Sequence, residues 1–218
     1  MKNRRSQQGA SATEGSSSPK PTRAEKVARN RQALLRSGER VVGEVGYEEA
    51  SISRISEGAG LGTGTFYKHF QSRQSFFDVL LPSVGEELLE EVREQIKGSR
   101  NVMEMEETGF RGFFDFLTRH PGFYRLVNEA EVAAPSAFDN HIGNLAKHYM
   151  KALKRSLSNG EIEGYDEREL EVIVFVLMAA RFYIYLRFSK AGKKAQHIPE
   201  WVIQAYMKFV FRGLKGKG

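Results

Sequence analysis

Apolar residues recur every three or four positions along most of the chain after residue 21, and polar or charged residues fill the positions between them. This spacing is typical of amphipathic helices, and no stretch shows the strict alternation of a strand. Breaks rich in glycine, proline, serine or asparagine separate the periodic stretches. We therefore expect an all-α fold. The predicted helices cover residues 22–46, 51–60, 62–70, 73–97, 102–119, 121–132, 136–158, 166–189 and 199–213.

The first three predicted helices are short and closely spaced. Thr22 and Glu25 have the spacing of a capping box, which satisfies free amide groups at a helix start. Gly60 is placed for a turn with positive φ between the second and third helices. On the third helix Phe66 and Phe70 share one face, so the residues between them point outward. Two short helices around a glycine turn, with hydrogen-bonding residues on the outer face, predict a helix-turn-helix.

One later helix is apolar on almost every side. Residues 172–180 contain no polar side chain, and Arg181 ends the run. A surface helix cannot be apolar all round, so this helix needs cover on more than one side. The last predicted helix has a matching apolar face, which favours a four-helix bundle between two subunits. The expected dimer contacts are Val172, Phe175, Val176, Phe182, Trp201, Tyr206 and Phe209.

Positive charge is concentrated near the amino terminus. The net charge is +6, and residues 1–75 hold 13 Lys or Arg against 7 Asp or Glu, whereas the rest of the chain is balanced. A basic module beside a neutral one favours a nucleic-acid partner, although a merely solvated basic surface gives the same count. Residues 1–20 are rich in serine and glycine and poor in large apolar residues, so we expect a disordered basic tail there.

Several classes of site have no support in the sequence. The chain has no cysteine, which excludes disulfides, thiol catalysis and cysteine metal sites. The glycine-rich run at residues 58–64 follows a predicted helix and matches neither the dinucleotide fingerprint nor a phosphate loop. His141 and His148 lack a carboxylate on the same helix face and make a poor metal site. We expect a protein that is not an enzyme and uses no cofactor.

Membrane insertion and secretion are not expected either. The apolar run at residues 172–180 is shorter than the roughly 20 residues that span a bilayer. No apolar segment follows the basic residues at positions 2–5, so no secretory signal is predicted. These observations predict a cytoplasmic protein.

The amino-terminal third contains a set of short motifs, namely Gly46-Tyr47, Ser51-Ile52, Ile55-Ser56, Ala59-Gly60-Leu61 and Gly64-Thr65-Phe66-Tyr67-Lys68-His69-Phe70. Together they make residues 23–75 resemble the DNA-binding region of the tetracycline-repressor (TetR) family. The pattern departs from the family at Ser56, where Ala is common, at Arg54, where an acidic residue is common, at Gly62, where a Ser or Thr helix cap is common, and near Ser37-Gly38-Glu39, where small or apolar residues are common. These departures bear on helix stability and on the operator sequence, not on the fold.

The resemblance implies a helix-turn-helix DNA-binding domain over residues 21–72 and a helical effector-binding and dimerisation domain over residues 73–218. Threonine and lysine on the recognition helix can reach base edges, whereas serine, tyrosine and arginine donors fix the register on phosphates. For Tyr67 and His69 the alternative is partial burial beside Phe66 and Phe70. The implied residues on or beside the recognition helix are Thr63, Gly64, Thr65, Tyr67, Lys68 and His69, and those that hold phosphates are Ser51, Ser53 and Arg73.

The second domain combines many aromatic residues with few polar ones, which is typical of an apolar ligand pocket between helices. Arg181 follows a long apolar run, where an unpaired cation is costly. Its partner is expected to be either an acidic side chain at the dimer interface or an anionic or aromatic-acid effector. The candidate ligand contacts are Arg111, Phe114, Asn128, His141, Asn144, His148 and Arg181.

Together these observations predict a homodimeric transcriptional repressor that a small hydrophobic or aromatic effector releases from a palindromic double-stranded DNA operator. Two alternatives stay open at this point. A ligand-independent architectural DNA-binding protein would show no sequence preference. A small-molecule binding protein or an enzyme without a DNA function would show no salt-dependent affinity for DNA.

Overall fold

The computed structural model describes residues 21–189 and 197–215, so the predicted disordered tail over residues 1–20 lies outside the described residues. The described chain is helical and contains no strand, which confirms the expected all-α fold. A π-helical turn, Tyr185–Ser189, continues the eighth helix. In chain order the helices are α1 (Arg23–Glu49), α2 (Ile52–Gly58), α3 (Thr63–His69), α4 (Arg73–Ile96), α5 (Val102–Arg119), α6 (Phe123–Ala133), α7 (Pro135–Ser158), α8 (Glu167–Ile184) and α9 (Glu200–Leu214).

Local signals explain where several helices begin and end. The Thr22 hydroxyl accepts a hydrogen bond from the Glu25 amide, and the Glu25 carboxylate accepts one from the Thr22 amide, as the sequence predicts. Asp166 forms the same kind of capping box at the start of α8. Gly46 has a φ of +85°, a conformation that favours glycine, and it interrupts the regular geometry of α1 where the sequence places the helix end.

An aromatic cluster joins the first three helices to the start of α4. Phe66 of α3 is fully buried, and its ring centroid lies 5.4 Å from that of Phe76 on α4. Phe70 meets Phe76 edge to face at 4.9 Å, and Tyr47 of α1 meets Phe77 in the same way at 4.7 Å. Such pairs fix ring orientation as well as burying apolar area. Helix α3 is thereby packed directly on the first turn of α4.

A second junction joins α1 to α6 through two glycines. A Cβ on Gly43 would lie 2.4 Å from the Cα of Gly122, so only glycine permits this approach. Polar contacts flank the glycines. Glu39 Oε1 lies 2.9 Å from Nδ1 of His120, and the Tyr47 hydroxyl donates to a backbone carbonyl of α6. The first three helices are therefore fastened to the rest of the chain at both α4 and α6.

Helices α4, α5, α7 and α8 pack around the second part of the core, and α9 covers α5. Phe110 of α5 is fully buried and stacks on Tyr206 of α9, with 4.0 Å between the ring centroids. Leu153 of α7 and Val174 of α8 are buried in the same layer. The space enclosed by these helices contains the cavity described below.

Within the described residues, one helix is long and apolar enough to cross a membrane by length and composition. It runs from Glu167 to Ser189 and reaches a mean hydropathy of 1.7 over 18 residues. The sequence analysis did not identify this helix because it counted only the uninterrupted apolar run before Arg181. In the fold, Leu170 and Val174 are buried against other helices, and Arg181 pairs with an acidic residue of the same chain. The inner face of this helix is therefore occupied by protein.

Candidate functional site

Helix α3 presents polar side chains outward and a phenylalanine inward. Phe66 is completely buried, whereas the Tyr67 side chain is 58% exposed and Lys68 is exposed beside it. Thr63 and Gly64 are exposed at the start of the helix, and Thr65 and His69 are half-buried. The structure thus brings the six predicted recognition residues onto one short helix. Because Phe66 and Phe70 turn inward, the Tyr67 side chain faces solvent and can contact a partner. His69 lies nearer to the buried face and is partly covered.

Helix α2 carries the two serines that the resemblance assigns to phosphates. Ser51 caps this helix, because its Oγ accepts a hydrogen bond from the Arg54 amide at 3.2 Å. Ser53, two residues further along, is exposed. A hydroxyl that accepts from a backbone amide still has its own proton to donate to a phosphate oxygen. The capping role and the phosphate contact are therefore compatible for Ser51.

Arg73 has a different role from the one that the sequence analysis assigns. Its guanidinium donates to the backbone carbonyls of Tyr47, Glu48 and Ala50 at the carboxy-terminal end of α1. It also lies over the Phe77 ring, 4.8 Å from the centroid. The last turn of α1 contains no basic residue of its own, so Arg73 supplies the positive charge that favours a helix carboxy terminus. This geometry supports a clamp between α1 and α4 and does not support a phosphate contact.

A cavity of about 190 Å³ lies between α4, α5, α7 and α8. Its wall is mainly aliphatic and aromatic, which is typical of pockets for small organic ligands. The volume exceeds the roughly 150 Å³ at which an apolar cavity in a protein core accepts a benzene ring. The apolar lining residues are Leu88, Leu89, Val92, Ile96, Met105, Phe113, Leu145, Ala152, Met178 and Phe182.

A buried polar cluster forms one part of the cavity wall. We define the Glu106 cluster as Glu106, Tyr149, Arg181 and Tyr206. Arg181 Nη2 donates to Glu106 Oε1 at 2.8 Å, and Arg181 Nη1 donates to the Tyr149 hydroxyl at 2.9 Å. Both tyrosine hydroxyls donate to the Glu106 carboxylate. Four helices, α5, α7, α8 and α9, therefore meet at a single carboxylate.

The surroundings of the Glu106 cluster decide its charges. Burial is the largest single effect on Arg181 and disfavours its charged guanidinium, but the Glu106 carboxylate together with Tyr149 and Tyr206 outweighs burial and raises the pKa of Arg181 well above its usual value. Burial also raises the pKa of Tyr149 and of Tyr206, so both hydroxyls keep their protons. The cluster thus contains a closed ion pair held by two neutral tyrosines.

A second polar group lies where the cavity approaches solvent. The His148 Nδ1 atom lies 2.8 Å from the Asn144 carbonyl oxygen, which can only accept, so this nitrogen carries the proton. Arg93 Nη2 lies 3.3 Å from His148 Nε2, which therefore accepts from the guanidinium. The Arg93 side chain is 47% exposed, and its carboxylate neighbour Glu90 is 3.9 Å away. We call this position the mouth of the cavity.

The structure brings two of the seven predicted ligand contacts, His148 and Arg181, to the cavity and places the other five elsewhere. Arg111 is held on the surface by Glu107 and Glu200. Phe114 is buried in the aromatic core against Phe110 and Phe113. Spacing along one helix could not reveal which face turns toward the cavity.

The remaining three predicted contacts lie on other surfaces. Asn128 is exposed on α6. The Asn144 amide donates to Glu86 of α4. His141 is buried against Gly85 and the ring of Phe123. Sequence reasoning missed Arg93, Glu106 and Tyr149, and the one available signal was that a buried Arg181 requires an acidic partner. That partner is Glu106 of the same chain, which the sequence analysis did not consider.

Burial lowers the pKa of His141 to about 4 from its usual 6.5. Between these values the unfolded chain binds a proton that the native chain does not, so native stability falls as pH decreases from 6.5 to 4. This group alone is expected to remove about 3 kcal/mol across that interval. The variant His141→Gln should lose less stability over the same pH range, measured by urea unfolding. If the free energy of unfolding changes with pH equally in the two proteins, His141 is not the source of this pH dependence.

Apolar side chains of α8 and α9 form an exposed strip. Val172, Phe175 and Val176 are 63%, 45% and 43% exposed, and Trp201 and Phe209 are 60% and 64% exposed. These five are among the residues that the sequence analysis assigns to a dimer interface. The other two assignments are wrong, since Tyr206 is buried in the Glu106 cluster and Phe182 packs inward against Phe113 and Tyr124. In the sequence, Tyr206 and Phe182 recur at the same helical spacing as the five exposed residues. In the structure, both lie on the inner face of their helix.

The chain is similar to known regulators over most of its length. KstR2 of Mycobacterium tuberculosis, an HTH-type transcriptional repressor, is 24% identical over 194 residues, which cover 88% of this chain and 96% of that protein. FadR of Bacillus subtilis, solved with stearoyl-CoA, superimposes with a TM-score of 0.70 at 17% identity over 84% of this chain and 98% of its own. AibR, solved with isovaleryl coenzyme A and operator DNA, gives 0.64 at 17% identity over 84% and 98%.

The sequence model described as bacterial regulatory proteins, tetR family, matches residues 34–80. This range contains α2, α3 and the aromatic cluster that packs them on α4, the same elements that carry the resemblance in the sequence. The match, the relative that spans nearly the whole chain and the shared all-α fold agree with one another. Residues 34–80 match the TetR family of bacterial regulatory proteins, and the chain as a whole is similar to transcriptional regulators that share its all-α fold.

Proposed function

We propose that this protein is a homodimeric repressor that binds a palindromic operator through α3 of each subunit and leaves it when a hydrophobic effector occupies the cavity. The observation that carries the proposal is that one helix, α4, serves both sites. Its first turn packs on the recognition helix through Phe76, and its later turns line the cavity with Leu88, Leu89 and Val92. A regulator that acts on chromosomal DNA would work in the cytoplasm.

The outward face of α3 supports the DNA-binding half of this proposal. Lys68 and Tyr67 extend from an exposed helix of seven residues, and the first 75 residues hold the excess positive charge of the chain. Helices of this kind read base edges in the major groove while nearby donors hold phosphates. Among the similar proteins, AibR forms a complex with operator DNA, and KstR2 is a transcriptional repressor.

The cavity supports the effector-binding half. Related folds hold stearoyl-CoA in FadR of Bacillus subtilis and isovaleryl coenzyme A in AibR, and KstR2 is described as a ketosteroid transcriptional regulator. The stearoyl and isovaleryl groups of the two coenzyme A ligands are apolar, which suits a wall of aliphatic and aromatic side chains. An effector weakens operator binding only by the difference between its affinities for the two conformations. A ligand that moves α4 would act on α3 through Phe76.

Replacing Lys68 or Tyr67 with alanine should reduce operator affinity by roughly 1 to 3 kcal/mol each, because each change removes a contact to DNA. The fold should be unchanged, since both side chains are exposed. The matched control is Lys151→Ala on α7, another exposed lysine. Fluorescence anisotropy with a labelled operator, obtained by selection from random DNA, measures the three affinities. Wild-type affinity in both α3 variants would contradict the role of α3.

Effector release is tested by screening hydrophobic compounds for a rise in melting temperature and then titrating each hit against the operator complex. A true effector should stabilise the protein and lower its operator affinity together. The variant Met178→Trp, which would fill part of the cavity, should bind such hits weakly and still bind the operator. Hits that stabilise the protein and leave operator affinity unchanged would contradict the release mechanism.

A further inference from the structure

The charges around the cavity divide it into two unlike ends. Three charged side chains line it, namely Arg93, Glu106 and Arg181. Glu106 is 2% exposed and the Arg181 side chain 11% exposed, so their end is the inner one. Arg93, with 47% of its side chain exposed, lies at the mouth. The part of a ligand that enters the cavity first would meet Glu106 and Arg181, and the part that stays near solvent would meet Arg93.

The inner end has no net charge to offer a ligand. Arg181 and Glu106 neutralise one another at 2.8 Å, and Tyr149 donates to the carboxylate while it accepts from the guanidinium. Within the described residues, the two buried side-chain polar atoms without a partner are the hydroxyls of Ser37 and Ser56, far from this cavity in sequence and on α1 and α2. A charged ligand group placed here would lose its water and gain no counter-ion.

The mouth has the opposite property. Among the charged lining residues, Arg93 has the weakest pairing, since its carboxylate neighbour Glu90 is 3.9 Å away and the two side chains are 47% and 64% exposed. Surface pairs of this kind are weak, so the guanidinium can turn toward an anion at little cost. Its contact with the His148 ring, at 3.3 Å, holds the side chain near the opening and adds no negative charge beside it.

We propose that the cavity binds an amphipathic organic anion, with its uncharged apolar end against the Glu106 cluster and its anionic group at Arg93. This inference rests on the proposed function and narrows the effector to one chemical class. It also assigns selectivity to the Glu106 cluster, because a ligand with a second charge at its buried end is rejected. The carboxylate and phosphate forms of such amphiphiles share the chemistry that Arg93 recognises.

Three ligands of one chain length separate the two ends. Dodecanoate has one anionic end, dodecanol has none, and dodecanedioate has two. With the full chain in isothermal titration calorimetry, dodecanoate should bind at least about tenfold more tightly than dodecanol, because it gains a charge-assisted hydrogen bond. Dodecanedioate should bind about a hundredfold more weakly than dodecanoate, because its second carboxylate would be buried without a counter-ion. Dodecyl phosphate distinguishes a phosphate preference from a carboxylate preference at Arg93.

Variants of the mouth test the anion contact separately from the fold. Arg93→Ala should reduce dodecanoate affinity to that of dodecanol, and Arg93→Lys should retain most of the difference. Arg100→Ala is the matched control, since Arg100 is exposed and paired with Glu104 outside the cavity lining, and it should bind dodecanoate like the wild type.

Each contrary outcome identifies what fails. Equal affinities for dodecanoate and dodecanedioate would contradict the claim that the inner end rejects a charged group. An Arg93→Ala variant that keeps the preference for dodecanoate over dodecanol would overturn the anion contact at the mouth. Equal binding of dodecanol and dodecanoate by the wild type would overturn this inference while supporting a hydrophobic effector. Loss of binding for all ligands tested would contradict the effector half of the proposed function as well.

Discussion

Replacing Glu106 with alanine is expected to destabilise the folded chain by about 3 to 5 kcal/mol, the range found when one member of a buried ion pair is removed. Arg181 would be left charged with 11% of its side chain exposed, and the hydroxyls of Tyr149 and Tyr206 would lose the carboxylate to which they donate. The loss is measured by urea unfolding at a fixed protein concentration, because assembly adds to apparent stability.

Two further variants isolate the cause of this loss. Glu104→Ala removes an exposed carboxylate from the same helix, where it pairs with Arg100, and should have a much smaller effect. The double variant Glu106→Leu, Arg181→Met replaces the ion pair with apolar groups and should recover most of the stability lost in the single variant. If Glu106→Ala unfolds at the same urea concentration as Glu104→Ala, the Glu106 cluster does not hold the four helices together.

Replacing Val176 with aspartate is expected to abolish dimerisation and, with it, operator binding. Val176 lies in the exposed strip of α8 beside Phe175 and Val172, and the side chain is 43% exposed in the single subunit. If a second subunit covers the strip, the variant carboxylate would be buried there without a partner, which costs several kcal/mol. Sedimentation velocity measures the assembly, and operator anisotropy measures its consequence for DNA binding.

The matched control for this change is Val132→Asp. Val132 is 89% exposed on α6, away from the strip, so the same substitution there should leave both the dimer and its operator affinity intact. A Val176→Asp protein that sediments as a dimer would place the subunit interface elsewhere. A monomer that binds the operator with wild-type affinity would contradict the requirement for two recognition helices.

Helix positions and the helix-turn-helix could be predicted because their signals are local. The capping box at Thr22 and Glu25, the positive φ of Gly60 and the burial of Phe66 each follow from residues a few positions apart. Interactions of this range depend little on the rest of the chain. The sequence therefore sufficed to place the exposed face of α3.

The cavity could not be predicted in the same way because it depends on how four helices are rotated about their axes. Tyr206 and Phe209 have equivalent apolar character in the sequence, yet one is buried and the other is 64% exposed. Glu106 looks like an ordinary acidic residue of an amphipathic helix, and only packing from α7, α8 and α9 identifies it as the partner of Arg181. Arg73 was misassigned for a related reason, since its acceptors are backbone carbonyls that no side-chain pattern reveals.

The glycine contact between α1 and α6 limits how this regulator can be recombined with others. A hybrid sensor that joined residues 21–72 to a foreign effector domain would set Gly43 against whatever side chain replaces Gly122. Even a Cβ atom at position 122 would lie 2.8 Å from the backbone oxygen of Glu39. The Glu39 and Tyr47 contacts would lose their partners in the same exchange. A hybrid protein built as a biosensor should therefore take residues 120–130 from the same parent protein as the first three helices. The segments to be exchanged are defined by which surfaces contact one another, not by their order along the chain.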